Sequence, residues 1–121
     1  MVNIYKQEFS SLEQEIFRFL CVHAGVSFNA RQLARYLNRT QAGIVKALPE
    51  LEKKELIISK KDKDSGRYSI EFNQDNVLGV GLKRIENLKI LYESGLVDFL
   101  KDSFPGTTII LFGSYSRGED V

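Results

Sequence analysis

The residues with the clearest chemical potential lie near the C-terminus, where an apolar run at 107–112 leads into Gly113, Ser114 and Arg117. A glycine at position 113 lets the backbone approach a phosphate without a side-chain clash, and Ser114 adds a hydroxyl donor. A helix that begins there would present its exposed backbone N–H groups and its positive dipole end to an anion. With Arg117 as a counter-charge, this spacing predicts a site for phosphate groups.

Residues 111–120, with the sequence LFGSYSRGED, resemble the opening signature of the polymerase-β-like nucleotidyltransferases. The resemblance implies that paired carboxylates on the next strand bind divalent metals, which polarise the α-phosphate and activate the acceptor hydroxyl. Glu119 and Asp120 precede the place of that strand, and neighbours on an extended segment point to opposite sides. We therefore expect no catalytic residue, metal site or cofactor in this chain, which would be a fragment or a natural truncation without transfer activity. Mg²⁺ and a nucleoside triphosphate are expected only for a complete enzyme.

The positive charge of the chain is concentrated in its middle third. Residues 31–67 contain ten basic and five acidic side chains, whereas residues 1–30 have a balance of −1 and residues 68–121 one of −3. The formal net charge of +1 therefore hides a strong asymmetry. Clustering of this kind is typical of a protein that binds a polyanion.

The elements that must position these side chains begin with three short helices. Ser10 and Glu13 predict a capping box for the first, Asn29 caps the second, and Thr40 caps a third that spans about 41–54. Pro49 should kink the third helix without dividing it, because the apolar phase continues across it. The inward positions of that helix are Ile44, Ala47, Leu48 and Leu51.

After the helices the hydrophobic period changes to two. Residues 56–61 and 68–72 predict a β-hairpin with a charged tip, and Gly66 is available for a positive φ angle in its turn. A long helix is expected at 76–93, a shorter one follows, and 107–112 should form a terminal strand. The expected inward face of the long helix consists of Leu78, Leu82, Ile85, Leu88 or Lys89, and Tyr92.

The layout of three helices and a hairpin over residues 10–73 resembles the winged helix-turn-helix domain, most specifically at 37–57. The expected fold class is α+β, mostly helical, with C-terminal helices and a terminal strand. We expect a winged-helix domain at 1–75, a helical linker at 76–106 and the start of a nucleotidyltransferase-like domain at 107–121.

The winged-helix resemblance implies a DNA-binding module of the transcription-regulator kind, with its third helix in the major groove of duplex DNA. RNA is disfavoured because its major groove is too deep and narrow for a helix. The residues expected to contact bases or phosphates are Arg31, Arg35, Arg39, Thr40, Gln41, Ala42, Gly43, Lys46, Lys60, Lys61, Lys63 and Arg67. Gln41 is suited to an adenine edge and Lys46 to a phosphate or a guanine.

Two other functions stay open at this point. The chain could be the accessory domain of a nucleotidyltransferase that transfers a nucleoside monophosphate once the missing acidic ligands are supplied. It could also be an interaction module without nucleic acid, which forms a homodimer through the 76–93 helix or through the unpaired backbone of the 107–112 strand.

Neither the cysteine nor the histidine predicts chemistry. Cys21 falls in an apolar helical stretch and is expected to be buried, and the single His23 is expected at a helix end. No apolar run approaches the roughly 20 residues that a membrane span needs. Without a secretory signal in the N-terminal sequence, the expected location is the cytoplasm.

Overall fold

The structure is a computed structural model that describes residues 8–121. The chain divides into two compact units, one that ends at Asn73 and one that begins at Gln74. The first unit contains the helices α1 (Ser11–Val22), α2 (Ala30–Leu37) and α3 (Gln41–Lys53) and the strands β1 (Ile57–Lys61) and β2 (Tyr68–Phe72).

The first unit has the predicted order of elements because its local signals agree with its packing. Ser10 and Glu13 form the capping box of α1, and Asn29 and Thr40 cap α2 and α3. Helix α3 runs without a break through Pro49, as the apolar phase predicts. The strands pair antiparallel from Ile57↔Phe72 to Lys61↔Tyr68, and Phe28 forms a single bridge to Ile70.

The core of the first unit is closed and apolar. Every element contributes to it, and the side chains with no exposed surface are Ile16, Leu20, Leu33, Ile44, Leu51, Leu56 and Ile70. Cys21 is buried among them, as expected, and His23 follows the last residue of α1. Burial of each large aliphatic side chain stabilises a fold by about 1.5–3 kcal/mol, so this core fixes the positions of the helices.

The second unit contains α4 (Val77–Glu93), α5 (Leu96–Ser103) and the short α6 (Ser114–Arg117). The predicted inward face of α4 is wrong. Of those side chains, Leu78, Ile85, Leu88 and Tyr92 are about half exposed, whereas the buried stripe consists of Gly79, Lys83 and Asn87. The C-terminal turn occupies this stripe, which is why the polar side chains of α4 are covered and its apolar ones are not.

The predicted terminal strand at 107–112 is also wrong. A strand exists only where its backbone N–H and C=O groups pair with a neighbour. Among the described residues, no backbone group of 108–112 pairs with the backbone of another residue, and no strand forms there. The side chains of Ile110 and Phe112 are 75% and 83% exposed, so these two apolar side chains contribute little to packing within the described chain.

Candidate nucleic-acid interface

Helix α3 is held by one face and presents the opposite face to solvent. The Thr40 hydroxyl accepts the backbone N–H of Gly43 at 3.1 Å and satisfies the first turn. The inner face packs through Ile44, Leu48 and Leu51. On the outer face of its first two turns, the exposed side chains are Gln41, Ala42, Val45 and Lys46. These turns therefore have a packed inner face and a solvent-facing surface of four residues with small, amide and cationic side chains.

Three elements converge on a concave surface beside α3, which we call the basic groove. It encloses about 580 Å³ and is lined by Asn29, Ala30, Arg31, Gln32, Arg35, Gln41, Val45, Arg67 and Tyr68. Arg31 and Arg35 are four residues apart and lie on one side of α2. Arg67 and Tyr68 come from the start of β2. The groove thus unites three guanidinium groups from separate parts of the sequence.

The start of α2 is ordered by a second capping box. The Asn29 side chain accepts the backbone N–H of Gln32 at 2.8 Å, and the Gln32 side chain accepts that of Asn29 at 2.9 Å. Both residues line the basic groove, so the hydrogen bonds that fix the helix start also fix the wall that carries Arg31. None of the three groove arginines forms a salt bridge with another residue in 8–121.

The hairpin tip is shaped by Asp62. Its carboxylate accepts the backbone N–H of Asp64 and the hydroxyl of Ser65, both at 2.9 Å, and these hydrogen bonds hold its pKa below its usual range. The Asp62 N–H donates to the carbonyl of Arg67 at 2.8 Å and closes the turn. Gly66 has a φ of 70°, as the sequence predicts for this turn.

The other predicted DNA contacts lie outside the basic groove. Arg39, Thr40 and Gly43 line a separate depression with Leu12 and Asn38. The Arg39 guanidinium lies 2.6 Å from a carboxylate oxygen of Glu15, so it already has an anionic partner. Lys60, Lys61 and Lys63 are exposed on β1 and the hairpin turn, and the ammonium of Lys61 lies 5.9 Å from the Tyr68 ring centroid.

The predicted DNA contacts did not include five residues that line the groove, which are Asn29, Ala30, Gln32, Val45 and Tyr68. Of these, Val45 and Tyr68 are large apolar or aromatic side chains that are more than half exposed. The signal for Val45 was present, because position 45 falls outside the apolar phase of Ile44, Leu48 and Leu51. An apolar side chain on the polar face of an amphipathic helix is the exception that points to a contact surface.

The residues of the predicted phosphate site lie at the start of the short helix α6. Gly113 has a φ of 90°, which favours glycine, and Ser114 is exposed at the first position of α6. The Arg117 Nε lies 2.9 Å from Glu119, and both side chains are more than half exposed. The guanidinium that was expected to face a phosphate is therefore paired with the neighbouring carboxylate.

Asp120 is held by α4. The Lys83 ammonium, with a side chain only 1% exposed, lies 3.2 Å from the Asp120 carboxylate and also contacts its carbonyl. The Asn87 amide donates to the same carboxylate at 2.8 Å and to the Tyr115 carbonyl at 3.0 Å. Residues 8–121 contain no group of three or more histidine, cysteine or acidic side chains placed to hold a metal ion.

Glycine 118 lets the C-terminal turn approach α4 closely. Its φ is 72°, and a Cβ at this position would lie 2.9 Å from the Arg84 backbone nitrogen and would overlap the Val80 carbonyl oxygen. The tyrosine hydroxyl of this turn, on Tyr115, donates to the Asn87 carbonyl at 3.0 Å. The only sequence pattern that points to this arrangement is the spacing of Gly79, Lys83 and Asn87, which places them on one stripe of α4.

Within the described residues, no helix is both long enough and apolar enough to cross a membrane.

No family model matches the sequence, and no curated protein matches it. Solved structures do match. The adhesin competence repressor AdcR from Streptococcus pyogenes is similar over 82% of this chain and 70% of its own, with 19% identity and a TM-score of 0.61.

Two further structures show the same similarity. ZitR from Lactococcus lactis, a zinc-responsive MarR family member, is 18% identical over 86% of this chain and 67% of its own, with a TM-score of 0.59. A MarR-like transcriptional regulator from Thermotoga maritima is 19% identical over 86% and 72%, with a TM-score of 0.56. At these identities the similarity shows the fold, and it confirms a helical α+β chain with a winged helix. It gives no support to a nucleotidyltransferase segment at the C-terminus.

Proposed function

We propose that this protein binds duplex DNA through the basic groove and α3, as a module of the transcription-regulator type. The observation that carries the proposal is the convergence of Arg31, Arg35 and Arg67 beside the exposed face of a firmly packed helix. Guanidinium groups suit phosphate because they offer several donors in a fixed plane. A helix fits the major groove of B-DNA, and residues of its first turns face base edges.

The positions of the side chains determine which of them contact bases and which contact phosphates. Gln41, Ala42 and Lys46 face the bases or the adjacent backbone from α3, and the groove arginines contact phosphates on the side of α2 and the hairpin. Lys60, Lys61 and Lys63 extend the phosphate contacts along the hairpin. Thr40 caps the start of α3, and Gly43 allows the DNA to approach the helix closely. Arg39 adds a phosphate contact once its guanidinium leaves Glu15 and binds a phosphate.

The solved structures that match add support at the level of fold. One is a repressor and another a transcriptional regulator, and proteins with those roles act on DNA. We extend this role to the present chain because its positive charge is concentrated at the corresponding part of the fold. A regulator that acts on DNA in this way would work in the cytoplasm.

Fluorescence anisotropy with a labelled 30-base-pair duplex of random sequence tests the proposal. Binding is expected at about 50 mM salt, with log K falling against log salt by about 0.9 for each phosphate contact. A double-stranded RNA of the same length is the control, and we expect it to bind more weakly because α3 cannot enter its major groove. No binding to the DNA at low salt, or equal binding to the RNA, would refute the proposed interface.

A second candidate is an accessory role in nucleotidyl transfer, which the positive φ of Gly113 and the exposed Ser114 favour. It predicts that Mg²⁺ and a nucleoside triphosphate together raise the thermal stability of the chain, and that Ser114→Ala removes the increase. No stabilisation at millimolar nucleotide would eliminate this candidate. We expect no transfer of labelled nucleotide by the chain alone, and measurable transfer by the purified polypeptide would contradict that expectation.

We also propose that two copies associate through the second unit. The exposed apolar side chains of α4 and the unpaired backbone at 108–112 are the surfaces that favour association. Sedimentation equilibrium should give twice the monomer mass, and replacement of Leu88 by glutamate should shift the equilibrium toward monomer. A monomer at about 100 μM, roughly a hundredfold above a Kd of 1 μM, would rule out the homodimer.

A further inference from the structure

One apolar side chain on the DNA-facing surface of α3 has no role in the fold. Val45 is 53% exposed, lines the basic groove and lies one turn after Gln41 on the same side of the helix. Residues four apart on a helix have Cβ atoms about 5–6 Å apart, whereas successive bases along one strand are about 3.4 Å apart. Gln41 and Val45 can therefore reach neighbouring base pairs at the same time.

The chemistry of these two side chains matches an A·T pair. A glutamine amide donates to N7 and accepts from N6 of adenine, a bidentate pairing that a G·C pair does not reproduce. Thymine is the only base that presents a methyl group in the major groove, and apolar side chains make favourable contact with it. A valine above cytosine would instead cover an amino group that needs a hydrogen-bond acceptor.

The geometry of Val45 is suited to shape-specific contact. A valine in a helix has one strongly preferred χ1 rotamer, so its methyl groups are held in place before binding. Ala42, also exposed on α3, adds a second small apolar surface without blocking the approach of a base. The outer face of the first two turns of α3 thus combines one amide with a methyl surface, and the cation of those turns, Lys46, lies beside them.

We propose that Val45 is a specificity-determining residue that contacts the C5-methyl group of a thymine next to the adenine bound by Gln41, so that the preferred site is rich in A·T pairs. This inference rests on the proposed DNA binding through α3. The simpler explanation is an ordinary surface valine, since single exposed apolar residues are common. The two explanations differ in what happens when only the thymine methyl group is removed.

Three 24-base-pair duplexes provide that test: alternating dA·dT, alternating dA·dU, which lacks only the methyl groups, and alternating dG·dC. Loss of one buried methyl contact corresponds to about a fourfold change in affinity. The native chain should bind the dA·dT duplex about fourfold more tightly than the dA·dU duplex, and at least about tenfold more tightly than the dG·dC duplex. The Val45→Ala variant should lose the difference between thymine and uracil.

Val22→Ala is the matched control, because Val22 is also 53% exposed but lies at the end of α1, outside the basic groove. It should keep the full preference for thymine. Equal binding of dA·dT and dA·dU by the native chain overturns the inference, and so does a thymine preference that survives Val45→Ala. If none of the three duplexes binds at low salt, the proposed DNA binding itself fails, and this inference fails with it.

Discussion

Removal of the three groove arginines is the most direct perturbation of the proposed interface. Arg31, Arg35 and Arg67 line one surface, are exposed, and form no salt bridge with another residue among 8–121. The triple alanine variant should therefore fold normally, since surface substitutions away from packed features change stability by less than about 0.5 kcal/mol. Circular dichroism and thermal unfolding check this before binding is measured.

The magnitude follows from the number of phosphate contacts. Each contact adds about 0.9 to the slope of log K against log salt, so loss of three contacts should reduce the slope by about 2.7. Between 50 and 200 mM salt, that slope difference corresponds to about a 40-fold smaller loss of affinity in the variant than in the native chain. Anisotropy titrations at four or more salt concentrations measure both slopes.

A matched control variant loses the same number of positive charges at residues outside the basic groove. Alanine at Arg84, Lys89 and Lys101 also removes three positive charges, but these exposed residues belong to the second unit. The control should keep the native slope, because its residues do not line the basic groove. Equal slopes in the native chain and the groove variant, or an equal reduction in the control, would show that the reasoning from the groove is wrong.

Three further predictions use contacts elsewhere in the chain. Glu15→Gln should raise DNA affinity by up to about fivefold in the same assay, because an exposed ion pair contributes about 0.2–1 kcal/mol and Arg39 would be released from it; unchanged or weaker binding contradicts this. Gly118→Ala should destabilise the second unit by about 2 kcal/mol or more in thermal unfolding, and by more than Gly106→Ala, which has a similar positive φ but open space around it; equal losses would mean that close packing is not the cause. The pKa of Asp62, followed by NMR, should lie below its usual range, so the stability from its hydrogen bonds is fully present above the unfolded pKa and is lost as the pH falls through the folded pKa; an ordinary value would refute this.

The winged helix was predictable because its signals are local and consistent with one another. Caps at Ser10, Asn29 and Thr40 each form the hydrogen bonds that the sequence indicates, and the apolar side chains face one core. Where local conformational preference and tertiary packing agree, few other folds of the sequence have comparable stability. The basic groove was only partly predictable, because its arginines were named while their convergence with Val45 and Tyr68 depends on packing.

The second unit was predicted poorly because hydrophobic periodicity shows that a face is apolar but not what covers it. The face of α4 that contains Ile85 and Leu88 is exposed, and the stripe with Lys83 and Asn87 is covered instead. Long-range hydrogen bonds to Asp120 decide this choice, and a sequence pattern does not encode them. The same reason applies to 107–112. Its residues have a high strand propensity, but a strand forms only when a neighbouring strand pairs with it.

The first unit buries its apolar side chains by itself, whereas the second unit leaves some of them exposed. DNA binding and association of two copies can therefore be tested separately. The first unit closes its core with side chains such as Leu20, Ile44 and Ile70, so its fold does not require a partner. The second unit leaves apolar surface on α4 and at 107–112, and exposed surface of that kind favours association. A substitution that breaks association, such as Leu88→Glu, should then leave the affinity of one unit for a single DNA site unchanged. If Leu88→Glu lowers the affinity only for duplexes long enough to hold two sites, the two copies bind adjacent sites on the DNA. The ratio of the native affinity to the variant affinity for such a duplex then measures the effective concentration of the second copy.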